Sequence, residues 1–343
     1  MSDDIASSDR RSPRLFLFAF ALSALLLGAT LAVLDKLWGP VVGDLTRLGG
    51  FPEREFAARK PHTDTLPPAR VELADADIIV LGDSFSGRGV WQARFAKYDQ
   101  RKIITYYFPN VGCISNWVAW VLAQRLKPNS VVVIEIVERT VVRSFRYLEA
   151  CAKQTPKSTW EIASTHADAK PPMQRFTLIH NPFYVLESTW HYFRHRITSK
   201  KFTSGKVIDA PLRNRQLLTN NRSDRLLYYS DEEEKSEWTS KDIADTLNSF
   251  AQIKAQFKSI GVSVFVVMIP DKTAVYRDYM VQPVVPKFEL ADLLVEQQLA
   301  PFNLTEQLRG IVAQTPDLFL PNDTHFGDEG YGFLASLIAR EIH

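Results

Sequence analysis

The chain has 343 residues, 45% of them hydrophobic, and its 41 basic residues against 39 acidic ones leave a formal charge of +2. That length suits one sizeable domain, or a domain with an insertion, because single cores stop growing at about 250–300 residues. The near balance of charge, with neither a basic stripe nor an aromatic stacking platform, excludes nucleic acid as a partner.

Residues 1–14 are polar and carry Arg10, Arg11 and Arg14, after which residues 15–34 run without a charge. About 20 apolar residues cross a bilayer as a helix, whereas the apolar part of a signal peptide usually has about 7–15. The expectation is therefore an uncleaved transmembrane anchor over 15–37, with 1–14 as a cytoplasmic tail. Thr30-Leu31-Ala32 is the competing cleavage site, and no cysteine follows Leu27-Gly28-Ala29 to accept a lipid. Arginines ahead of the span place the N-terminus in the cytoplasm. The remainder would face the periplasm from a bacterial inner membrane. Residues 38–73 mix Gly49-Gly50, Pro52, Pro61 and Pro67-Pro68 with scattered charges, which reads as a linker, so the folded domain should begin near Val71 and fill residues 74–343.

Four apolar residues, Ile78 to Leu81, stop at Gly82-Asp83-Ser84. A run so short suits a strand covered on both faces, and Gly82 reads as the sharp turn after it. Ser84 would then stand at the strand's C-terminal end, where open α/β sheets bind ligands. A short helix is expected over 91–98 and a strand over 103–108, followed by a turn through Pro109, Asn110, Val111 and Gly112. A helix should begin at Ser115 and stop before Pro128, with a strand over 131–137. This alternation predicts a doubly wound, mainly parallel, flavodoxin-like sheet. It resumes with a helix over 245–259, a strand over 262–269 and helices over 288–299, 304–313 and 331–342. No internal repeat is present.

Residues 144–242 do not alternate and read as a helical insertion. Within it Phe183, Tyr184, Leu186, Trp190, Tyr192 and Phe193 crowd one stretch. Two readings stand open: an amphipathic helix packed on the domain, or a cap or surface that faces the active site or a membrane partner. Residues 231–235, Asp-Glu-Glu-Glu-Lys, read as a solvated charged turn.

A serine hydroxyl is a poor nucleophile unless a base takes its proton and a third group orients that base. Asp323-Thr324-His325, in a polar loop before the last helix, supplies both; the competing use of Ser84 is to cap the next helix. Acyl transfer also builds negative charge on a carbonyl oxygen, for which the backbone N–H groups of Ser84 and Gly112 are the expected donors. Glycine at 112 lets the backbone approach closely.

Gly-Asp-Ser after the first strand and an Asp-His pair before the last helix resemble the SGNH/GDSL hydrolase superfamily, over about residues 74–342. Many of its members add an asparagine after the third strand, where this chain has Glu135-Ile136-Val137-Glu138-Arg139. Asn110 and Asn116 are the candidate replacements. The common arrangement also puts the acid three residues before the histidine; here position 322 is asparagine and the acid is Asp323. That spacing, with Phe326 following, is similar to the Asp-Thr-His-Trp element of the alginate O-acetyltransferase (AlgX/AlgJ-type) proteins. Glu135 to Arg139 is similar to their Glu-x-x-Glu-Arg strand end, and Pro270-Asp271-Lys272 with Val275-Tyr276 to their Pro-Asp-Lys element. In those proteins the Asp-His element precedes the serine along the chain; here the order is reversed. The resemblance implies an O-acetyltransferase that carries an acetyl group on Ser84, with a polysaccharide acceptor and a donor relayed by a membrane-bound O-acyltransferase. It makes Glu138, Arg139 and Lys272 candidate substrate contacts, weighed against an ion pair for Glu138 and Arg139 and a solvated side chain for Lys272.

Cys113 and Cys151 are the only cysteines. Outside the cytoplasm they could pair, tying the Gly112 loop to the insertion, or Cys113 could be a small buried residue. His166, His180, His191 and His195 lack metal-ligand spacing, so no metal or other cofactor is expected.

Overall fold

The computed structural model describes residues 11–39, 41–59, 70–146, 148, 155–159, 182–198 and 200–342. Its strands are β1 (Ile78–Gly82), β2 (Ile103–Tyr107), β3 (Val131–Val137), β4 (Phe202–Ser204), β5 (Val207–Pro211), β6 (Arg225–Tyr229) and β7 (Ser263–Ile269). The main sheet runs β2-β1-β3-β7, parallel throughout. Every residue of β1 and β3 is buried, as expected for strands covered on both faces.

Successive side chains of a strand point to opposite faces, and that alternation divides the apolar interior into two layers. Ile78, Val80, Val131 and Val133 pack on one side with the helices Val90–Phe95, Leu304–Ile311 and Asp328–Glu341. Ile79, Leu81, Val132 and Ile134 pack on the other with Ile114–Leu122, Ser240–Lys258 and Leu290–Glu296. The doubly wound α/β sheet is thus as the sequence indicates. Glu138–Phe145 forms one further helix, directly after β3.

Three expectations need correction. The stretch read as a linker over 38–73 contains two short helices, Asp44–Gly49 and Glu53–Phe56, and Leu45, Phe51 and Phe56 within it are fully buried. Leu45, Phe51 and Phe56 cover one face of a second sheet, packing with Phe202, Val207 and Leu227. That second sheet is the next correction: residues 200–229 of the supposed helical insertion form the antiparallel array β4-β5-β6. Its other face, Ile208, Ala210, Leu226 and Tyr228, joins the main core. Packing on both sides, rather than a strong local pattern, holds these short strands.

The third concerns residues 231–235. They lie in a 3-10 helix, Ser230–Ser236, which places Glu232 and Lys235 three apart on one inward face, both fully buried. Glu233 and Glu234 remain nearer solvent, Glu233 paired with Lys201.

Among the described residues one helix, Arg11–Trp38, is long and apolar enough to cross a membrane, over Pro13–Trp38. A second helix, Pro182–Ile197, lies against its C-terminal turns. Cys113 is disulfide-bonded, while Cys151 lies outside the described residues, as do His166 and His180.

Candidate active site

β1 ends at Gly82, which has an ordinary backbone rather than the special turn its identity suggests. A Cβ there would fall 2.5 Å from Ser86 Cβ and 2.7 Å from Glu135 Oε2, so glycine is required by close packing. Asp83 then caps the short helix Ser84–Gly87: its Oδ1 accepts from Phe85 N at 3.0 Å, and its Oδ2 accepts from Val137 N at 2.8 Å. One carboxylate thus fixes the helix start and ties it to the end of β3. Beneath it Glu135 is fully buried, its Oε2 accepting from Asp83 N at 3.2 Å. Burial, and then the Asp83 charge, push the Glu135 carboxyl well above its usual range, so it stays protonated beside Asp83.

This framework sets Ser84, half-buried, opposite the loop after Leu318. Backbone bonds from Leu320 N to His325 O (2.9 Å) and from Gly327 N to Leu318 O (3.0 Å) fold that loop back on itself. Phe326 anchors it against Phe319 and Phe85, with ring centroids 4.5 and 5.1 Å apart. Ser84 Oγ lies 2.9 Å from His325 Nε2, and His325 Nδ1 lies 2.5 Å from Asp323 Oδ1. Burial alone would raise the Asp323 pKa, but the hydrogen bond and charge of His325 outweigh it and hold Asp323 well below the usual carboxylate range. The three groups form a continuous hydrogen-bonded chain of the kind that lets an imidazole take a serine proton.

The misread segment contributes directly here. Asp44 Oδ1 accepts from Thr324 N at 2.9 Å and its Oδ2 accepts from Thr324 Oγ1 at 2.7 Å. Asn322 donates through Nδ2 to Glu53 Oε1 at 2.5 Å, and Leu45 N and Thr46 N donate to Asn322 O. A helix start shortly after the long apolar helix Arg11–Trp38 therefore clamps the loop that carries Asp323 and His325. No local pattern marks Asp44; its only signal is an acid in the first turn of a short helix.

A cleft of about 670 Å³ opens beside Ser84, lined among others by Asp83, Tyr107, Gly112, Arg139, Arg143 and Arg146. Gly112 has φ +80°, a left-handed conformation that favours glycine, and lines this cleft with Ser84. The two candidate asparagines are placed elsewhere. Asn116 is buried and donates through Nδ2 to Val111 O at 3.3 Å, bracing the Gly112 loop from behind. Asn110 closes the 3-10 turn Phe108–Asn110 and is not among the cleft's lining residues. Among the described lining residues there is no side-chain amide.

The candidate substrate contacts divide likewise. Glu138 is buried and accepts from Lys235 Nζ at 3.0 Å, while Lys235 also reaches Asp271 at 3.4 Å. Lys272 is buried too; its Nζ donates to the carbonyls of Leu320 (2.9 Å), Pro321 (3.3 Å) and Asp323 (3.1 Å), supporting the His325 loop from below. Of the three only Arg139 lines the cleft, paired with Asp271 at 2.9 Å and set over the Tyr229 ring. The pairing of β3 with β7, Val137 opposite Ile269, brings the Glu138-Arg139 and Asp271-Lys272 elements side by side. Burial works against charge on Lys235, yet the carboxylates of Glu138 and Asp271 prevail and keep it charged. Such a buried network is costly to break from one side, by about 3–5 kcal/mol.

Asp44, Asp323 and His325 also place oxygen and nitrogen atoms within 4.8 Å of one another. Hydrogen bonds to Thr324, Ser84 and one another already use both Asp44 oxygens, Asp323 Oδ1 and both His325 nitrogens. His191 is a buried residue stacked on Phe51 with its Nδ1 3.1 Å from Gly50 O; the side chain of His195 lies outside the described residues.

Residues 223–343 match the family model described as the SGNH hydrolase-like domain of the acetyltransferase AlgX. The matched stretch takes in β6, β7, Asp271, Lys272, Asp323 and His325, while Ser84 stands ahead of it. No curated protein and no solved structure gives a significant match to the chain. The SGNH/AlgX-type resemblance and an SGNH-like α/β fold are thereby shown, with Pro270-Asp271-Lys272 and Asp323-Thr324-His325 inside the match and the Gly82-Asp83-Ser84 and Glu135-to-Arg139 elements ahead of it.

Proposed function

From a chain that carries an SGNH hydrolase-like domain of the AlgX acetyltransferase type, we propose a membrane-anchored O-acetyltransferase that acetylates an exported or cell-surface polysaccharide. The observation that carries this reading is the unbroken Ser84–His325–Asp323 chain at 2.9 and 2.5 Å, beside an open cleft. His325 takes the Ser84 proton as Oγ attacks the acetyl carbonyl, and Asp323 holds the imidazole in the tautomer that accepts at Nε2 and stabilises the imidazolium. The backbone N–H groups of Ser84 and Gly112 receive the developing oxyanion, each such donor contributing about 3 kcal/mol. The leaving group departs with the proton from His325. In the second half His325 removes the proton of a sugar hydroxyl, which attacks the acyl-serine and regenerates Ser84.

The acceptor enters over Arg139, Arg143 and Arg146, so a polymer bearing carboxylates suits the cleft. The span over Pro13–Trp38 anchors the domain outside the cytoplasm, where acetyl-CoA is absent. A membrane-bound O-acyltransferase partner supplies the acetyl group.

The test is to load the purified full-length protein with an activated acetyl ester, add oligosaccharides of the host's own polymer and follow acetate by mass spectrometry. Transfer predicts acetylated sugar and an acyl-enzyme whose discharge quickens with acceptor, because binding positions the attacking hydroxyl. Rapid release of free acetate, with no acetylated sugar across a panel of oligomers, would replace the transferase with an esterase. For topology, a reporter active only in the periplasm and fused after His343 should be active in protein that stays membrane-bound after salt washing.

A further inference from the structure

The helix Pro182–Ile197 has two opposed apolar faces. Tyr184, Val185, Ser188 and His191 are buried against the protein. Phe183, Leu186, Trp190, Phe193 and Ile197 point the other way and are 53–85% exposed. At roughly 100° per residue these five side chains fall within about 80° of the helix circumference, on the side opposite the buried face. A contiguous stripe of two phenylalanines, a tryptophan, a leucine and an isoleucine is not an ordinary water-facing surface.

Its position says what covers it. The helix packs against the span's last turns: Leu31, Leu34 and Trp38 meet Tyr184, Val185 and Tyr192. Trp38 Nε1 donates to Thr189 Oγ1 at 3.0 Å, and the Trp38 and Tyr192 rings lie 5.1 Å apart. A span that enters the hydrocarbon near residue 15 has crossed about 30 Å by residue 34 or 35. These contacts are thus at the depth where the chain leaves the membrane, which is where Trp and Tyr gather. The exposed stripe is also continuous with the span, since Leu37 and Phe193 line one groove of about 400 Å³.

We propose that Pro182–Ile197 is an interfacial helix, lying at the outer bilayer surface with Phe183, Leu186, Trp190, Phe193 and Ile197 in the boundary between headgroups and acyl chains. The inference rests on the anchor reading of the first span and adds a second, independent attachment. Two attachments fix the orientation of the domain, where a single span leaves it free to turn. The consequence reaches the candidate site: the chain from Trp38 to Asp44 spans at most roughly 20 Å, and Asp44 holds Thr324. The Ser84–His325 pair is then held close above the bilayer, facing an acyl donor delivered from the membrane.

The experiment uses the full chain reconstituted alone in phosphatidylethanolamine–phosphatidylglycerol vesicles, with a nitroxide at Leu186→Cys, Phe193→Cys, Leu25→Cys in the span, or Ala255→Cys on an exposed helix face. Collision with oxygen, which concentrates in lipid, is compared with collision with a water-soluble nickel chelate. The oxygen-to-nickel ratio at 186 and 193 should resemble that at 25 and exceed that at 255 several-fold. A lipid signature at 25 with a water signature at 186 and 193 overturns the interfacial helix and leaves the anchor standing. Shielding of 186 and 193 from both reagents means that a second copy covers the stripe, and also overturns it. A water signature at 25 removes the anchor, and the interfacial helix with it.

Discussion

Asp44→Ala is the perturbation that best tests how the reactive loop is held. Asp44 accepts two hydrogen bonds from Thr324, at 2.9 Å from the backbone N and 2.7 Å from Oγ1, and Thr324 is buried. Bonds to a charged acceptor contribute about 1.5–3 kcal/mol each, and a buried donor left without a partner costs about 1–3 kcal/mol. Solvent reaches part of Asp44 and can repair the unpaired donors, so we take only the low end of the bond range, about 1.5 kcal/mol for each of two bonds, and expect about 3 kcal/mol lost in total. That loss is local: Thr324 lies between Asp323 and His325, and a shift of 1 Å in a reacting group costs about a hundredfold in rate. Stopped-flow acylation by an activated acetyl ester should therefore fall about a hundredfold in Asp44→Ala, with KM little changed and a modest drop in Tm. Thr324→Val removes only the Oγ1 bond, and the double-mutant cycle should give a coupling of about 1–2 kcal/mol. Acylation within threefold of wild type, or strict additivity in the cycle, would refute the clamp.

Ser84→Ala and His325→Ala should each abolish acetate release from an activated ester while the protein remains folded, His325→Ala with a lower Tm because Asp323 loses its partner; wild-type-like turnover in either would remove the catalytic assignment. Gly82→Ala drives a methyl group to 2.5 Å from Ser86 Cβ and 2.7 Å from Glu135 Oε2 and should cost about 1–3 kcal/mol in chemical denaturation, with acylation reduced as Ser84 shifts. Glu135, held protonated in the fold, ionises near 4.3 when the chain unfolds. Between that value and its raised folded value only the native state keeps the proton, so stability falls as pH rises through the window. Urea denaturation of Glu135→Gln should lack that downward slope; an unchanged slope would show that Glu135 is not its source. Asp323 works in the opposite sense: its depressed pKa contributes stability present above about 3.9 and lost as pH falls through the folded value, a loss that Asp323→Asn should lessen.

The strands and the meeting of Ser84 with the Asp323–His325 loop were legible in the sequence because their signals are local. A fully apolar run such as Val131–Val137 has few alternatives to a strand covered on both faces, and a serine at its neighbour's end asks for a histidine and an acid that only one loop supplies. The uncharged length of residues 15–34 similarly fixes a helix of membrane-spanning dimensions. Tertiary structure alone decided the rest. Helices of six and four residues, Asp44–Gly49 and Glu53–Phe56, are too short to show a period, so residues that clamp the reactive loop read as linker. Glu232 and Lys235 look solvated in a charged run because nothing local reveals that Glu138 and Asp271 wait on the other side. The resemblance offered Lys272 as a substrate contact and Asn116 as a stand-in for the missing asparagine donor, yet chain closure turned their donors onto backbone carbonyls. A charged side chain's type and spacing state what it can bond; only the meeting of distant segments, such as Asp44 with Thr324, decides what it does bond.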